Sequence, residues 1–265
     1  MFSKLAKLLF TPKYGGNVWS EYRLHTADRY VSKVTPFYGK KIKIPDAASY
    51  IACRNEVFRE ETYKFIASSS QPVIIDCGAN VGLSVIYFKK LYPHAQIEAY
   101  EADPDIFDTL KYNVGLFGMG DVQLENKAIW THNDGVDFSS EGGMSGHIEQ
   151  EISDGRLIKI PSIALSDVLA KHDKIDFLKI DIEGAENTVL PTISGNLDHV
   201  NHVFIEYHSI LSESQRLDEL LSLLSRANFR YHIKEAYTRD FPFISKANQT
   251  NMDLQLNIFA INENH

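Results

Sequence analysis

VIIDCGANVG, residues 73–82, is the stretch on which the reading of this chain turns. Val73, Ile74 and Ile75 form a continuous apolar run, the pattern of a strand covered on both faces. Asp76 closes that strand, and Gly78 and Gly82 punctuate the turn behind it. Glycine has no Cβ, so backbone built on it can approach a ligand closely and can adopt positive φ. Leu83 to Tyr92 then reads as a helix, which Pro93 stops. A buried strand, a glycine-bearing turn and a helix in succession mark a nucleotide-type ligand site.

The turn argues against two ligand classes. In a GxGxxG dinucleotide fingerprint the second and third glycines would fall at Asn80 and Leu83, so the pattern fails twice. No lysine follows the glycines as a phosphate-binding loop requires, which disfavours a nucleoside triphosphate. An acidic strand end beside an open turn suits a cationic ligand that carries a ribose and no phosphate. S-adenosylmethionine is such a ligand, and Asp76, Gly78, Asn80 and Gly82 are its first candidate contacts. IEAYEADP, residues 97–104, reads as a second strand ending at Glu101. That is about the 20-residue offset at which an acidic side chain binds ribose hydroxyls in such folds. Asp103 and Pro104 look like the N-cap and N1 residues of the next helix.

DCGANVG, YEADP and the later LKIDIEGAE together resemble the FkbM family of S-adenosylmethionine-dependent methyltransferases. The resemblance covers residues 73–208 and implies a class I, Rossmann-like methyltransferase fold. It also implies O-methylation of a sugar, glycan or polyketide hydroxyl, with polysaccharide or glycoconjugate biosynthesis as the setting. Residues 71–265 are expected to form the methyltransferase domain, and 1–70 an accessory segment of helix and short strands.

The rest of the chain supplies the alternation of strands and helices that such a fold needs. VQLENKAIW reads as a third strand whose end, Lys127 and Ala128, lies where such enzymes hold the adenine; Lys127 reads equally well as a solvated surface lysine. IDFLKIDIEGAE reads as a fourth strand ending at Asp181, and HVFIEYH as a fifth ending near Glu206 and His208. Ser212 and Gln215 have the spacing of a capping box before a helix with Leu217, Leu220, Leu221 and Leu224 on one face. FRYHIKEA and LQLNIFAIN would pair as an antiparallel edge. The expectation is an α/β fold: a doubly wound, mostly parallel, seven-stranded sheet with its ligand crevice at the carboxyl ends of the strands.

Asp181, Glu206 and His208 are the catalytic candidates. Methyl transfer to a hydroxyl requires removal of its proton, and a histidine near neutral pKa, oriented by a carboxylate, suits that task. Alternatively, these three residues ligate a divalent ion such as Mg²⁺ that holds the acceptor oxygen. A third reading leaves Asp181 capping a turn, Glu206 paired with Lys179 and His208 packed. Other activities open to the same residues are N-methylation, methylation of a lipid or polyketide hydroxyl, or cofactor binding without catalysis in a glycan-assembly complex.

Composition narrows the partners. The 265 residues carry a formal net charge of −8, which argues against nucleic acid, whose binding draws on clustered Lys and Arg. Two cysteines, Cys53 and Cys77, suggest neither a disulfide framework nor a zinc site. No run of about 18 apolar residues occurs and the first residues lack a signal-peptide core, so the cytoplasm is the expected compartment. Phe2, Leu5, Leu8 and Leu9 face opposite Lys4 and Lys7, which makes residues 1–13 either a docked helix or a peripheral contact with an anionic membrane. ACRNEVFREETYKFIA reads as a helix closing over the cofactor, and GGMSGHI as a lid or a plain loop. Tyr63 and Tyr207 are sugar-stacking or core residues. Acceptor identity and oligomeric state are open at this level.

Overall fold

The computed structural model describes residues 14, 16, 18–140, 146–148, 156–238, 241, 243–244 and 252–264. The expectations for residues 1–13 and for the start of GGMSGHI lie outside these residues.

The first third of the chain forms helix α1 (Val18–His25), a hairpin of β1 (Lys33–Phe37) and β2 (Lys40–Ile44), and helix α2 (Ala47–Arg54). The hairpin turns at Tyr38 and Gly39, whose φ values of +47° and +76° match the twist of paired strands. Period-two alternation decides its faces: Ile42 and Ile44 are buried, and Lys41 and Lys43 point outward. Asp46 caps α2 by accepting from the Ser49 backbone N–H at 2.9 Å, so this helix starts earlier than ACRNEVFREETYKFIA suggests. It widens into a π turn at Asn55–Arg59 and stops there. The chain leaves the helix so that Tyr63 and Phe65 can pack against Phe88 and Phe177.

The second part contains β3 (Val73–Cys77), α3 (Leu83–Leu91), β4 (Gln96–Tyr100), α4 (Pro104–Leu116) and β5 (Gln123–Glu125). Asp103 caps α4 by accepting from the N–H groups of Asp105 and Ile106 at 2.8 and 3.2 Å, with Pro104 at the first helical position. VQLENKAIW is two strands rather than one: β5 ends at Glu125, and β6 (Ala128–Trp130) belongs to another sheet. Asn126 breaks the run by donating its side-chain amide to the carbonyls of Glu101 and Ala102 at 2.9 and 3.1 Å. Next come β7 (Val136–Ser140), β8 (Gly146–Ile148) and β9 (Arg156–Ile160), a small antiparallel sheet of their own. β10 (Ser162–Ala164) pairs parallel with β6 and leads into α5 (Leu165–Leu169).

The last part comprises β11 (Phe177–Ile180), α6 (Glu186–Val189), β12 (His202–Ile210), α7 (Leu217–Arg226), β13 (Phe229–Thr238) and β14 (Met252–Asn262). The expected capping box does not form: α7 starts after Arg216 with no side-chain cap, and Gln215 donates instead to Ser209 Oγ. Seven strands form one sheet in the order β13-β14-β12-β11-β3-β4-β5, with only β14 reversed. This is the doubly wound, mostly parallel sheet the alternation predicts, with β13 rather than the reversed strand at the edge. The chain steps from β3 outward through β4 and β5, then returns to the other side of β3 for β11 and β12. The resulting switch point opens a crevice between the carboxyl ends of β3 and β11.

Alternate residues of each strand feed opposite faces of the sheet. One core cluster holds Ile74, Phe88, Phe177 and Phe204 together with Phe37, Ile42, Tyr50 and Tyr63 from the first third of the chain. The other holds Ile75, Leu178, Ile180, Ile205 and Tyr207 beneath α5 to α7. The accessory segment is fastened further by a buried ion pair, in which Arg54 reaches Glu21 with two nitrogens at 2.6 and 2.9 Å. The side chains are 6% and 8% exposed, and the guanidinium lies over the rings of Tyr14 and Tyr50. Glu21→Ala strands that guanidinium without a counter-charge and should cost about 3–5 kcal/mol of stability, read by chemical denaturation. A wild-type midpoint would show that the pair holds nothing.

Candidate active site

The turn after β3 takes positive φ at Gly78 (+85°), Asn80 (+49°) and Gly82 (+91°). Both glycines answer first to the protein's own packing. A Cβ on Gly78 would lie 1.8 Å from the backbone oxygen of Asp181, and one on Gly82 would lie 2.9 Å from Leu110 Cδ1. Gly78 also lines the crevice, whereas Gly82 serves the contact between the turn and α4. Asp76 lies beneath the turn rather than beside a ligand space. It is fully buried, accepts from Ser84 Oγ at 2.5 Å and pairs with Lys179 Nζ at 3.3 Å.

Lys179, on β11, is 2% exposed and central to the arrangement. Its ammonium donates to Gly78 O at 2.8 Å and pairs with Asp181 Oδ2 at 3.1 Å as well as with Asp76. Burial pulls its pKa down, but Asp181 and Asp76 outweigh that and hold it above the ordinary lysine value. The reading that pairs Lys179 with Glu206 is therefore replaced by a pairing with Asp76 and Asp181.

Two spaces meet at Gly78, Asn80, Asp181 and Glu183, which line both. The first is a narrow cavity of about 60 Å³ that brings together Glu101, Lys127 and Ala128, the residues expected around ribose and adenine, with Phe138 and Ile129 as apolar walls. Glu101 accepts from the backbone N–H of Asn80 and of Asp103, each at 2.9 Å. Burial raises its pKa to about 7 despite those two donors. Lys127 pairs with Glu125 at 3.0 Å, so its ammonium is already engaged.

The second space is a cleft of about 330 Å³ lined by Asp181, Glu206 and His208, and by Glu56, Tyr63 and Lys179 among others. The sequence picks out the first three and also Tyr63 and Lys179, but not Glu56, Glu183, Glu186 or Gln255. Glu186, fully buried, accepts from the N–H groups of Ile182 and Gly184 at 2.9 Å each and pairs with His208 Nδ1 at 3.3 Å. That capping forces Glu183 to φ +55° and aims it into the junction of the two spaces, 3.8 Å from His208 Nε2. Three carboxylates spaced through DIEGAE were a legible signal for this unit. Glu56, from the π turn, and Gln255, from β14, carry no such signal, because only folding brings them here. Tyr207 is fully buried and accepts from the Arg216 N–H, a core role; Tyr63 is buried yet lines the cleft.

His208 is not poised near neutrality. Burial lowers its pKa, but Glu186, then Glu183 and Glu206, raise it well above the ordinary histidine value, and Glu186 pairs with Nδ1 at 3.3 Å, so the surroundings favour the charged ring. Glu206 is raised well above the ordinary carboxylate value by burial and by the charges of Asp181 and Glu56. Asp181, Glu206 and His208 each present a ligand atom within 4.8 Å of the others, the one group of this kind among the described residues. They fit a magnesium ion poorly. Mg²⁺ prefers oxygen donors, whereas this set includes a histidine nitrogen, and His208 is already paired with Glu186 and Glu183. Lys179 supplies positive charge to Asp181 from the other side.

Residues 76–231 match the model of the methyltransferase FkbM domain. The chain belongs to that family. Methyltransferase sdnD of Sordaria araneosa is 29% identical over 169 residues, covering 51% of this chain and 65% of that protein. The 2-O-methyltransferase NoeI of Sinorhizobium fredii is 26% identical over 155 residues, covering 51% and 63%. The chain thus spans just under two thirds of the length of these two relatives. In a solved FkbM methyltransferase from Methylobacillus flagellatus, the overlap covers 76% of this chain and 46% of that one, with a TM-score of 0.49 at 17% identity. Among the described residues, no helix is long and apolar enough to cross a membrane.

Replacing Lys179 tests whether the site hangs on this ammonium. Lys179→Met leaves the carboxylates of Asp76 and Asp181 facing each other without a cation, and should cost about 3–5 kcal/mol in denaturant melts. Unchanged stability would remove Lys179 from its central place.

Proposed function

We propose that this protein is an S-adenosylmethionine-dependent O-methyltransferase that acts on a sugar or glycan hydroxyl. The observation that carries this reading is the pair of spaces meeting at the Gly78–Asn80 turn: one with an acidic side chain and apolar walls, the other with titratable groups. Membership in the FkbM family and the 2-O-methyltransferase among its relatives support it.

The side chains lining the narrow cavity are of the kinds that bind an adenosine, for which a space of about 60 Å³ has to widen. Glu101 keeps free lone pairs beyond its two backbone partners and faces the cavity, which suits a pair of ribose hydroxyls. Ala128, Ile129 and Phe138 offer the flat apolar surface that a purine fills. Bound there, S-adenosylmethionine supplies a methyl carbon on a positively charged sulfur.

The chain's own residues must then align an acceptor oxygen with that carbon and receive its proton as the carbon–oxygen bond forms and the carbon–sulfur bond breaks. Asp181 and Glu183 line the junction, and Glu206 lies beside them. His208, already cationic, does not receive the proton in this scheme; its charge steadies the surrounding carboxylates, and the proton passes to a carboxylate.

Two measurements test this. Glu101→Ala should weaken S-adenosylmethionine by about 1.5–3 kcal/mol for each lost charged hydrogen bond, read by calorimetry. In the unmodified protein, affinity should fall as pH drops through about 7, because protonation removes the charge and one acceptor oxygen of Glu101. Cofactor binding indifferent to both would place Glu101 outside the site. Asp181→Asn should keep cofactor binding and lose about 10²-fold or more in turnover, the scale of acid–base assistance. Full turnover in that variant, or activity abolished by a chelator and restored by Mg²⁺, would overturn the assignment.

A further inference from the structure

The acceptor cleft carries a charge pattern that the methyl-transfer reading does not by itself require. Its described lining includes four carboxylates, Glu56, Asp181, Glu183 and Glu206, against two cations, Lys179 and His208. Both cations are committed: Lys179 to Asp76 and Asp181, and His208 to Glu186 and Glu183. No arginine and no further lysine appears among the described lining residues. Glu56 is held by Asn257 at 2.9 Å rather than by a cation. Burial and mutual repulsion raise the pKa values of Glu56, Glu183 and Glu206 together, as expected where negative charge is in excess.

We infer that the cleft takes an uncharged polyhydroxy acceptor, a finished glycoside, and rejects sugars that still carry a phosphate or nucleoside diphosphate. This rests on the O-methyltransferase reading and narrows its substrate. A diphosphate on the anomeric carbon lies about one sugar ring from the reacting hydroxyl, within the ~8 Å Debye length at physiological salt. Each phosphate charge about 8 Å from a carboxylate of this set that stays ionised costs roughly 30-fold in affinity unscreened at an effective dielectric of about 20, and about 4-fold once screened over one Debye length. Amines are disfavoured for the opposite reason. Carboxylates in excess stabilise an ammonium ion, which has no lone pair with which to attack a methyl group. A neutral hydroxyl escapes both penalties. It is donor and acceptor at once, and so matches carboxyl groups that share protons, while Val57, Tyr63 and Met252 supply apolar wall. The reaction that supplies this substrate is then a glycosyl transfer, and methylation follows departure of the nucleotide.

The test compares kcat/KM of the full chain on octyl glycosides of common hexoses and deoxyhexoses with that on the nucleoside diphosphate derivatives and the amino analogues of the same sugars. The expected result is turnover of a glycoside with its nucleotide form at least about 10-fold worse, its two phosphate charges acting together, and methyl on oxygen in every product. Glu56→Gln should narrow that ratio by raising the relative rate on the nucleotide form. A nucleotide sugar used as well as its glycoside, or methyl found on nitrogen, would overturn the inference and leave methyl transfer standing. Cofactor binding with no methyl transfer to any of these compounds would sink both.

Discussion

A single buried ammonium ties the site together. Lys179 could not remain charged in the interior without compensation, because removing an ion from water costs several kcal/mol even after relaxation. Asp76 at the end of β3 and Asp181 just past β11 supply that compensation from two neighbouring strands, and the carbonyl of Gly78 takes a third contact. The two strand ends that flank the switch point are thereby fixed in register with the turn. Gly78 lies so close to the Asp181 carbonyl that no side chain fits between them, so ion pair and glycine constrain the same point from opposite directions.

Everything acidic in the cleft is built outward from that point. LKIDIEGAE places Lys179 and Asp181 at the strand end, and Glu186 then accepts the backbone N–H groups that the sharp turn leaves without partners. Glu183 is held in the left-handed region by this cap, with Gly184 at φ +100° behind it, and so reaches the junction of the two spaces. The same Glu186 orients His208 and keeps it cationic. A histidine at a strand end, read as a neutral-pH base, gains carboxylate neighbours that raise its pKa well above the ordinary histidine value.

The accessory segment takes part in this site through packing. Its hairpin and α2 share a core with β3, α3 and β12, and the Glu21–Arg54 pair fastens α1 to α2. The π turn that ends α2 carries Glu56 into the cleft beside Asn257 of β14. Segments more than 200 residues apart thus meet by a direct hydrogen bond in the wall of the cleft. Asn257 and Gln255 both come from the one reversed strand of the sheet, whose pairing with β12 sets Gln255 opposite His208.

Local pattern determined much of this protein. The apolar run Val73–Ile75, the glycines of the turn, the acidic strand ends Glu101 and Asp181, and the strand–helix alternation were readable because each depends on residues near one another in the chain. The doubly wound sheet followed from them, as did the cavity that gathers Glu101, Lys127 and Ala128 and the meeting of Asp181, Glu206 and His208. Tertiary structure alone decided the break of VQLENKAIW at Asn126, the burial of Asp76 under the turn, the true partners of Lys179, and the arrival of Glu56 and Gln255. It also set the charge state of His208. Those outcomes depend on distances between groups far apart in sequence and on the dielectric around them, and neither quantity is written in residue order.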